Sequence, residues 1–315
     1  MAAISDFLKI PKIDSCKHLS SGMKYDSFTQ WAGFLLPGYD ELKSRPAGSV
    51  EDLAIRKDFN LYTQTRISSA HDILLLFCYA VSESISDGIK LLNGTVNVDF
   101  LSKCKNATEF LDVVKKICEK YSDKITVRPF LGIDTSNENN LPLAEMLLES
   151  GLFGGIELYG TKFIEMPEKF LSLFRTSRRM NIDSRICCLG FHFIKSREEI
   201  FEILDNLKPT LLLNPNMAVN NESLGIIKNS KLSPEIVAFG KNTGIKVEFS
   251  PAPGLSGNKG REKNLAIRDF AENGIPLKLC TEDTLHLGKS ISEFASDLCN
   301  EGVFSVEEIG KILTI

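Results

Sequence analysis

Ile275-Pro-Leu-Lys-Leu-Cys-Thr-Glu-Asp-Thr-Leu-His-Leu-Gly288 is the stretch whose reading decides the fold. An apolar run of strand length, residues 275–279, ends abruptly in two adjacent carboxylates, Glu282 and Asp283. Desolvating two like charges at the end of a buried strand costs several kcal/mol unless something neutralises them. In a barrel of parallel strands, the carboxyl end of the strands is where chemistry sits. The other reading of the pair is a strand leaving the core into a polar loop, with both acids solvated.

Upstream, from Gly94 onward, apolar strand candidates recur at residues 96–101, 125–133, 155–159, 185–189, 210–213, 245–249 and 276–280. Helical periodicity fills the intervals, at residues 107–121, 142–150, 167–180, 196–207, 233–242 and 262–272. A first strand lies within residues 9–19, where Pro11 marks the start. Eight strands, nearly every one followed by a helix, predict an α/β protein with the (β/α)8 TIM barrel fold. Residues 291–300 and 306–313 read as helices on the outside, and the chain as one domain over residues 1–315. Residues 20–93 carry helical periodicity, broken at Pro37-Gly38 and Pro46-Ala-Gly48. An insertion this long after one strand reads as a helical lid. Trp31, Phe34, Leu35 and Leu36 would line a pocket under it or simply pack the lid.

A net charge of −4 leaves no electrostatic footprint for nucleic acid or an anionic membrane. The longest apolar candidate, residues 73–81, is far short of the ~20 residues that span a bilayer. The first residues lack the basic-then-apolar order of a signal peptide. Eight cysteines without regular spacing read as reduced thiols. A cytosolic location is the expectation.

Side chains two apart on a strand share a face, so Cys16 and His18 point the same way. That makes them a candidate metal half-site or, equally, a buried thiol and imidazole without function. The Gly-rich segment at residues 254–260 precedes a helix and reads as a phosphate cradle or as a plain turn, since it lacks Walker spacing. His71 falls in an apolar helical stretch and reads as packing, while His286 follows the paired acids by three residues and reads as their local partner.

Several strand ends resemble the adenosine deaminase family of metal-dependent hydrolases. Pro11-Lys-Ile-Asp-Ser-Cys16-Lys-His18-Leu19 is similar to its opening motif, with Cys16 where the family has a first His. Gly155-Ile-Glu-Leu-Tyr159-Gly160, Glu248-Phe-Ser-Pro251 with Leu255-Ser-Gly257, and Gly274 to Asp283 resemble its later motifs in order and spacing. The resemblance covers essentially the whole chain. It implies a zinc site with Cys16, His18, Cys188 and Glu282 at the ligand positions; a slip of one residue would put Cys187 in place of Cys188. It implies Asp283 as the acid beside the activated water, Asn214 where the family orients that water with His, and Phe191 where it shuttles protons with Glu. His192 or Asp283 would take over the proton, and Gly160 with Tyr159 would meet a purine edge. Cys16 or Cys188 with His18 is also a candidate nucleophile and base. Two functions follow as expectations. One is a diverged enzyme acting on a nucleoside, nucleobase or similar small polar molecule, with poor adenosine deamination. The other is an inactive relative that binds a ligand or a protein partner.

Overall fold

The computed structural model describes residues 2–35, 61–137, 139–188, 196–215, 227–228, 231–232, 234–251 and 258–314. Eight strands form one sheet in sequence order: β1 (Lys12–His18), β2 (Ile89–Asn97), β3 (Thr126–Asp134), β4 (Gly155–Tyr159), β5 (Asp183–Cys187), β6 (Leu211–Leu213), β7 (Lys246–Phe249) and β8 (Leu277–Leu279). Every neighbouring pair is parallel. The last strand returns to the first: Glu282 N donates to Cys16 O at 2.7 Å, and His18 N donates to Glu282 O at 2.8 Å. Asp14 tightens the seam by accepting from Thr281 N at 3.0 Å and Thr281 Oγ1 at 2.6 Å. The expected (β/α)8 barrel is the observed fold.

Helices fill the intervals close to their expected places, among them Ala107–Lys120, Leu171–Met180, Arg197–Leu207 and Ile291–Asn300. The capping follows the sequence. Asn106 accepts from Glu109 N, Ser196 from Glu199 N, and Ser290 forms a capping box with Glu293. Within residues 20–93, the helices Tyr25–Ala32 and Ala70–Ser86 are present, and residues 36–60 lie outside the described residues. Among the described residues, no helix is long and apolar enough to cross a membrane.

One boundary moves. β2 begins at Ile89, inside the stretch read as lid, and residues 98–103 form a 3-10 turn where the strand was expected. Asn93 and Gly94 sit mid-strand in β2. A Cβ on Gly94 would lie 3.0–3.2 Å from the side chain of Leu19, so glycine marks a close approach there. In β1 the register slips between Asp14 and Lys17. This bulge lets Asp14 and Lys17, three apart, pair at 3.9 Å on one side, while Cys16 and His18 both reach Glu157 on the other.

The barrel interior is unusual in carrying charge where branched aliphatics normally fill the layers. Arg185 on β5 is fully buried and bonds Glu157 on β4 at 2.9 Å. It also bonds Glu248 on β7 and the Ser15 carbonyl on β1, and stacks on Phe130 of β3 at 4.4 Å. Five of the eight strands thus meet at one guanidinium. Removing one partner from a buried ion network costs about 3–5 kcal/mol, because the remaining charges lose their compensation. Arg185→Met is therefore expected to lower unfolding free energy by about that much, read by urea denaturation. A loss under about 1 kcal/mol would show that the network is energetically idle.

Candidate functional site at the carboxyl mouth

At the carboxyl ends of β1, β4, β5, β6 and β8 the polar side chains converge. His18 Nε2 lies 2.8 Å from Glu157 Oε1, and Cys16 Sγ lies 3.6 Å from Glu157 Oε2. Thr95 Oγ1 donates to that same Oε2 at 2.6 Å, beside the Arg185 bond. The carboxylate of Glu157 is thus oriented by Thr95 and Arg185, with Oε1 presented to His18. The other ring nitrogen of His18 lies 4.0 Å from Asp283 Oδ1, and its ring packs on Tyr159 at 5.4 Å.

Asp283 accepts from Ser21 Oγ and lies 3.5 Å from His286 Nδ1, so the acid sits between two imidazoles. Glu282 is held by Asn214 Nδ2 and Ser250 Oγ, each at 2.7 Å from Oε2, while Oε1 faces Cys187 Sγ at 4.0 Å. Asn214 and Glu282 both adopt left-handed backbone conformations, with φ of 53° and 50°. For a non-glycine residue this costs roughly 1–2 kcal/mol and clusters at functional sites.

The sequence places Cys16, His18, Asn214, Glu282 and Asp283 together, and the structure brings them to one mouth. Cys188 is not among them. It packs in the large apolar core shared with the helices, its Sγ 3.8 Å from the Ile186 carbonyl. Alternation along β5 makes Arg185 and Cys187 share the inner face, so Cys187 is the thiol that joins Cys16, Leu213 and Cys280 inside the barrel. His192 lies outside the described residues. Tyr159 and Gly160 close β4, and Gly160 has φ +91°. A Cβ there would meet Thr135 Oγ1 at 2.9 Å and Asp134 Oδ1 at 3.1 Å, so only glycine fits.

Glu157, Arg185, Thr95 and Ser250 escaped the sequence reading. Their signal was a charged residue at the centre of an apolar strand, as in Gly155-Ile-Glu157-Leu and Ser184-Arg185-Ile. Such a residue is tolerable only with a buried partner.

Burial pushes the Glu157 carboxyl up, but the charges of His18 and Arg185 prevail and bring it to about 2. Burial likewise pulls the His18 imidazole down, yet Glu157 and Asp283 raise it to about 9. Cys16 is pushed well up by burial and by its hydrogen bond with Cys280.

Cys16, His18 and Glu157 each offer a ligand atom, and these atoms lie within 4.8 Å of one another. Thiolate, imidazole and carboxylate are all zinc donors. A carboxylate facing the second nitrogen of a liganding His is the usual outer support of such a site. Asp283 takes that position beside His18. The donor set therefore fits a divalent ion such as zinc.

No protein-family model matches the chain. A Treponema pallidum (strain Nichols) protein named "Putative adenosine/adenine deaminase" is 23% identical over 320 residues, covering 100% of both chains. The solved N6-methyl-AMP deaminase of Arabidopsis thaliana superposes with a TM-score of 0.71 at 16% identity, covering 97% of this chain and 90% of that one. An amidohydrolase from Burkholderia ambifaria, solved with bound Zn, gives 0.69 at 15% identity, covering 96% and 87%. The resemblance to adenosine deaminases spans the whole chain. Cys16, Cys187, Asn214 and Glu282 stand at the mouth of this barrel.

The His18–Glu157 pair sets a pH dependence in metal-free protein. His18 is raised from 6.5 to about 9, so its contribution is complete below 6.5 and is lost as pH rises through 9. Glu157 is depressed from 4.5 to about 2, so its contribution holds above 4.5 and is lost as pH falls through 2. With chelator present, unfolding free energy is expected to fall between pH 6.5 and 9, by at most about 1.4 kcal/mol per unit. His18→Gln should flatten that slope relative to the parent. An equal slope in both proteins would place its source elsewhere.

Proposed function

We propose that the protein is an adenosine deaminase-like hydrolase. It binds a purine nucleoside or a related small polar molecule at the carboxyl mouth and acts on it with altered site chemistry. The observation that carries the reading is the placement of His18 and Asp283, 4.0 Å apart, among Cys16, Glu157 and Glu282. These two residues match the family's pattern unchanged, and a mouth with no ligand or cation would gain nothing from so many converging acids.

Cys16, His18 and Glu157 would hold a zinc ion, with Glu282 and Cys187 the next donors across the barrel. Bound zinc supplies Lewis acidity and lowers the pKa of a water at the site. Thiolate ligands donate charge and blunt that effect. Asp283, fixed by Ser21 and flanked by His18 and His286, is the group placed to take a proton from an incoming nucleophile. Asn214 moves no proton; its amide holds Glu282 and Ser250. Glycine at 160 lets the backbone approach a flat ring beside Tyr159.

Adenosine itself is expected to be a poor substrate. The family's proton-shuttling Glu corresponds to Phe191 and its water-orienting His to Asn214, and general acid–base catalysis is worth roughly 10²–10⁴-fold. After zinc loading, turnover of adenosine is expected below about 1 per second, followed by the absorbance change on deamination. One uptake of zinc per chain, measured by elemental analysis, and calorimetric binding of at least one of adenine, adenosine and AMP are also expected. A chain that takes up no zinc and binds no purine would end this reading. A non-catalytic ligand-binding role is the second reading. It is favoured by the 2.8 Å His18–Glu157 contact, in which the two donors satisfy each other without a metal. Purine binding with no zinc uptake and no turnover of any purine would select it.

A further inference from the structure

The wall formed by β1 and β8 is polar on its outer side too, where apolar packing between sheet and helix is the rule. Asp14, Lys17 and Thr281 are all buried there, facing the helices Ala70–Ser86 and Ile291–Asn300. A cleft of about 280 Å³ opens among them, rimmed by the exposed side chains of Ile4 and Leu8.

Asp87 decides the electrostatics of this cleft. It caps the carboxyl end of the helix Ala70–Ser86 and is only 7% exposed. That end of a helix carries about half a negative charge, and the last turn here holds Glu83 and no basic residue. A buried carboxylate in such a place is unfavourable unless positive charge meets it. Yet among the described residues Asp87 has no ion pair, and its one hydrogen bond comes from Ser292 N at 3.3 Å. Lys12 acts on it through space, but the Lys12 ammonium donates to the Phe7 and Ile10 carbonyls at 2.7 and 3.3 Å.

The other charges of the cleft are matched. Lys17 donates to the Gly22 carbonyl at 3.0 Å and faces Asp14, while Lys24 pairs with Glu293 at 3.0 Å. Glu83 accepts from Lys24 N and from Ser27 Oγ. Two hydroxyls are not matched. Thr284 lines the cleft at 1% exposure, and its Oγ1 has no hydrogen-bond partner among the described residues. The Ser292 hydroxyl, beside the amide that meets Asp87, has none either. A buried polar atom left in this state is destabilising. The unmet groups are thus one carboxylate and two hydroxyls, all of them acceptors.

A ligand that brings N–H donors and a positive charge answers that demand. A water-sized ion, at about 30 Å³, would leave most of the cleft unfilled, and Ile4, Leu8 and Ile89 give it an apolar side. We propose that the cleft binds a primary ammonium group carried on a short apolar chain. Asp87 is its counter-charge, Thr284 a further acceptor, and the chain lies on the isoleucine and leucine side chains. The site stands on the opposite face of β1 from Cys16 and His18, and it does not rest on the purine reading.

The test is thermal unfolding and calorimetry of the full chain at constant ionic strength, with the chlorides of butylammonium, tetramethylammonium and potassium. Tetramethylammonium has the charge without an N–H, and potassium the charge without the chain. Butylammonium in tenfold excess over its dissociation constant is expected to raise Tm by about 2–4 °C. The other two should raise it by less than about 1 °C. Thr284→Val keeps the side-chain shape and should weaken butylammonium binding about tenfold. Asp87→Asn, checked for a native circular dichroism spectrum, should weaken it at least as much. Asp283→Asn should bind butylammonium as the parent does, because the acids of the mouth take no part. The inference is overturned if butylammonium gives no rise, or if tetramethylammonium or potassium acts equally. It is also overturned if Thr284→Val binds unchanged, or if Asp283→Asn loses the binding.

Discussion

The guanidinium of Arg185 is the constraint on which the rest of this barrel depends. It is fully buried, and it draws in Glu157, Glu248 and the Ser15 carbonyl from three other strands. A charge of this kind in a low-dielectric interior is tolerable only if its partners are complete. The ion layer therefore dictates what stands above it. Because Arg185 and Thr95 hold one oxygen of Glu157, the other oxygen is aimed at His18, and His18 is held between Glu157 and Asp283. The site chemistry begins one layer below the site.

The polar groups at the mouth complete one another's hydrogen bonding at this level. Glu157 approaches the Cys16 thiol to 3.6 Å. Glu282, one methylene longer than an aspartate, has its carboxylate held by Asn214 and Ser250 while its own backbone sits at positive φ. Asn214 tolerates the left-handed region better than most residues, because its short polar side chain bonds locally. Its amide does so, reaching Ser250 at 2.9 Å while Oδ1 accepts from Ser250 N at 2.8 Å.

Much of the fold was legible because its signal is local. Alternating apolar runs and capped helices mark the eight units without reference to their partners, as Asn106 and Ser290 show. The errors fell where a residue's meaning is set by a distant neighbour. β2 starts at Ile89, inside the stretch read as lid, and its Gly94 is explained only once Leu19 is known to press on it. Cys187 and Cys188 are interchangeable in composition, and only the phase of β5, fixed by Arg185 facing inward, separates them. Of the site, the residues at strand ends could be found from motif order. Glu157 and Arg185 could not, since a lone charge in an apolar strand looks unfavourable until the opposite charge is found on another strand.

The seam between the first and last strands carries a further consequence. β8 is only three residues long, and beyond it the junction with β1 relies on Glu282 backbone bonds and on the Asp14–Thr281 contacts. Short junctions of this type are where a barrel opens by local fluctuation at a cost below that of global unfolding. Cys16, His18 and Glu282 are therefore hinge-side groups as well as site groups. Anything gripping them together from the mouth acts as a clasp, slowing amide exchange along β1 and β8. Occupancy and closure of the barrel are then a single coupled equilibrium.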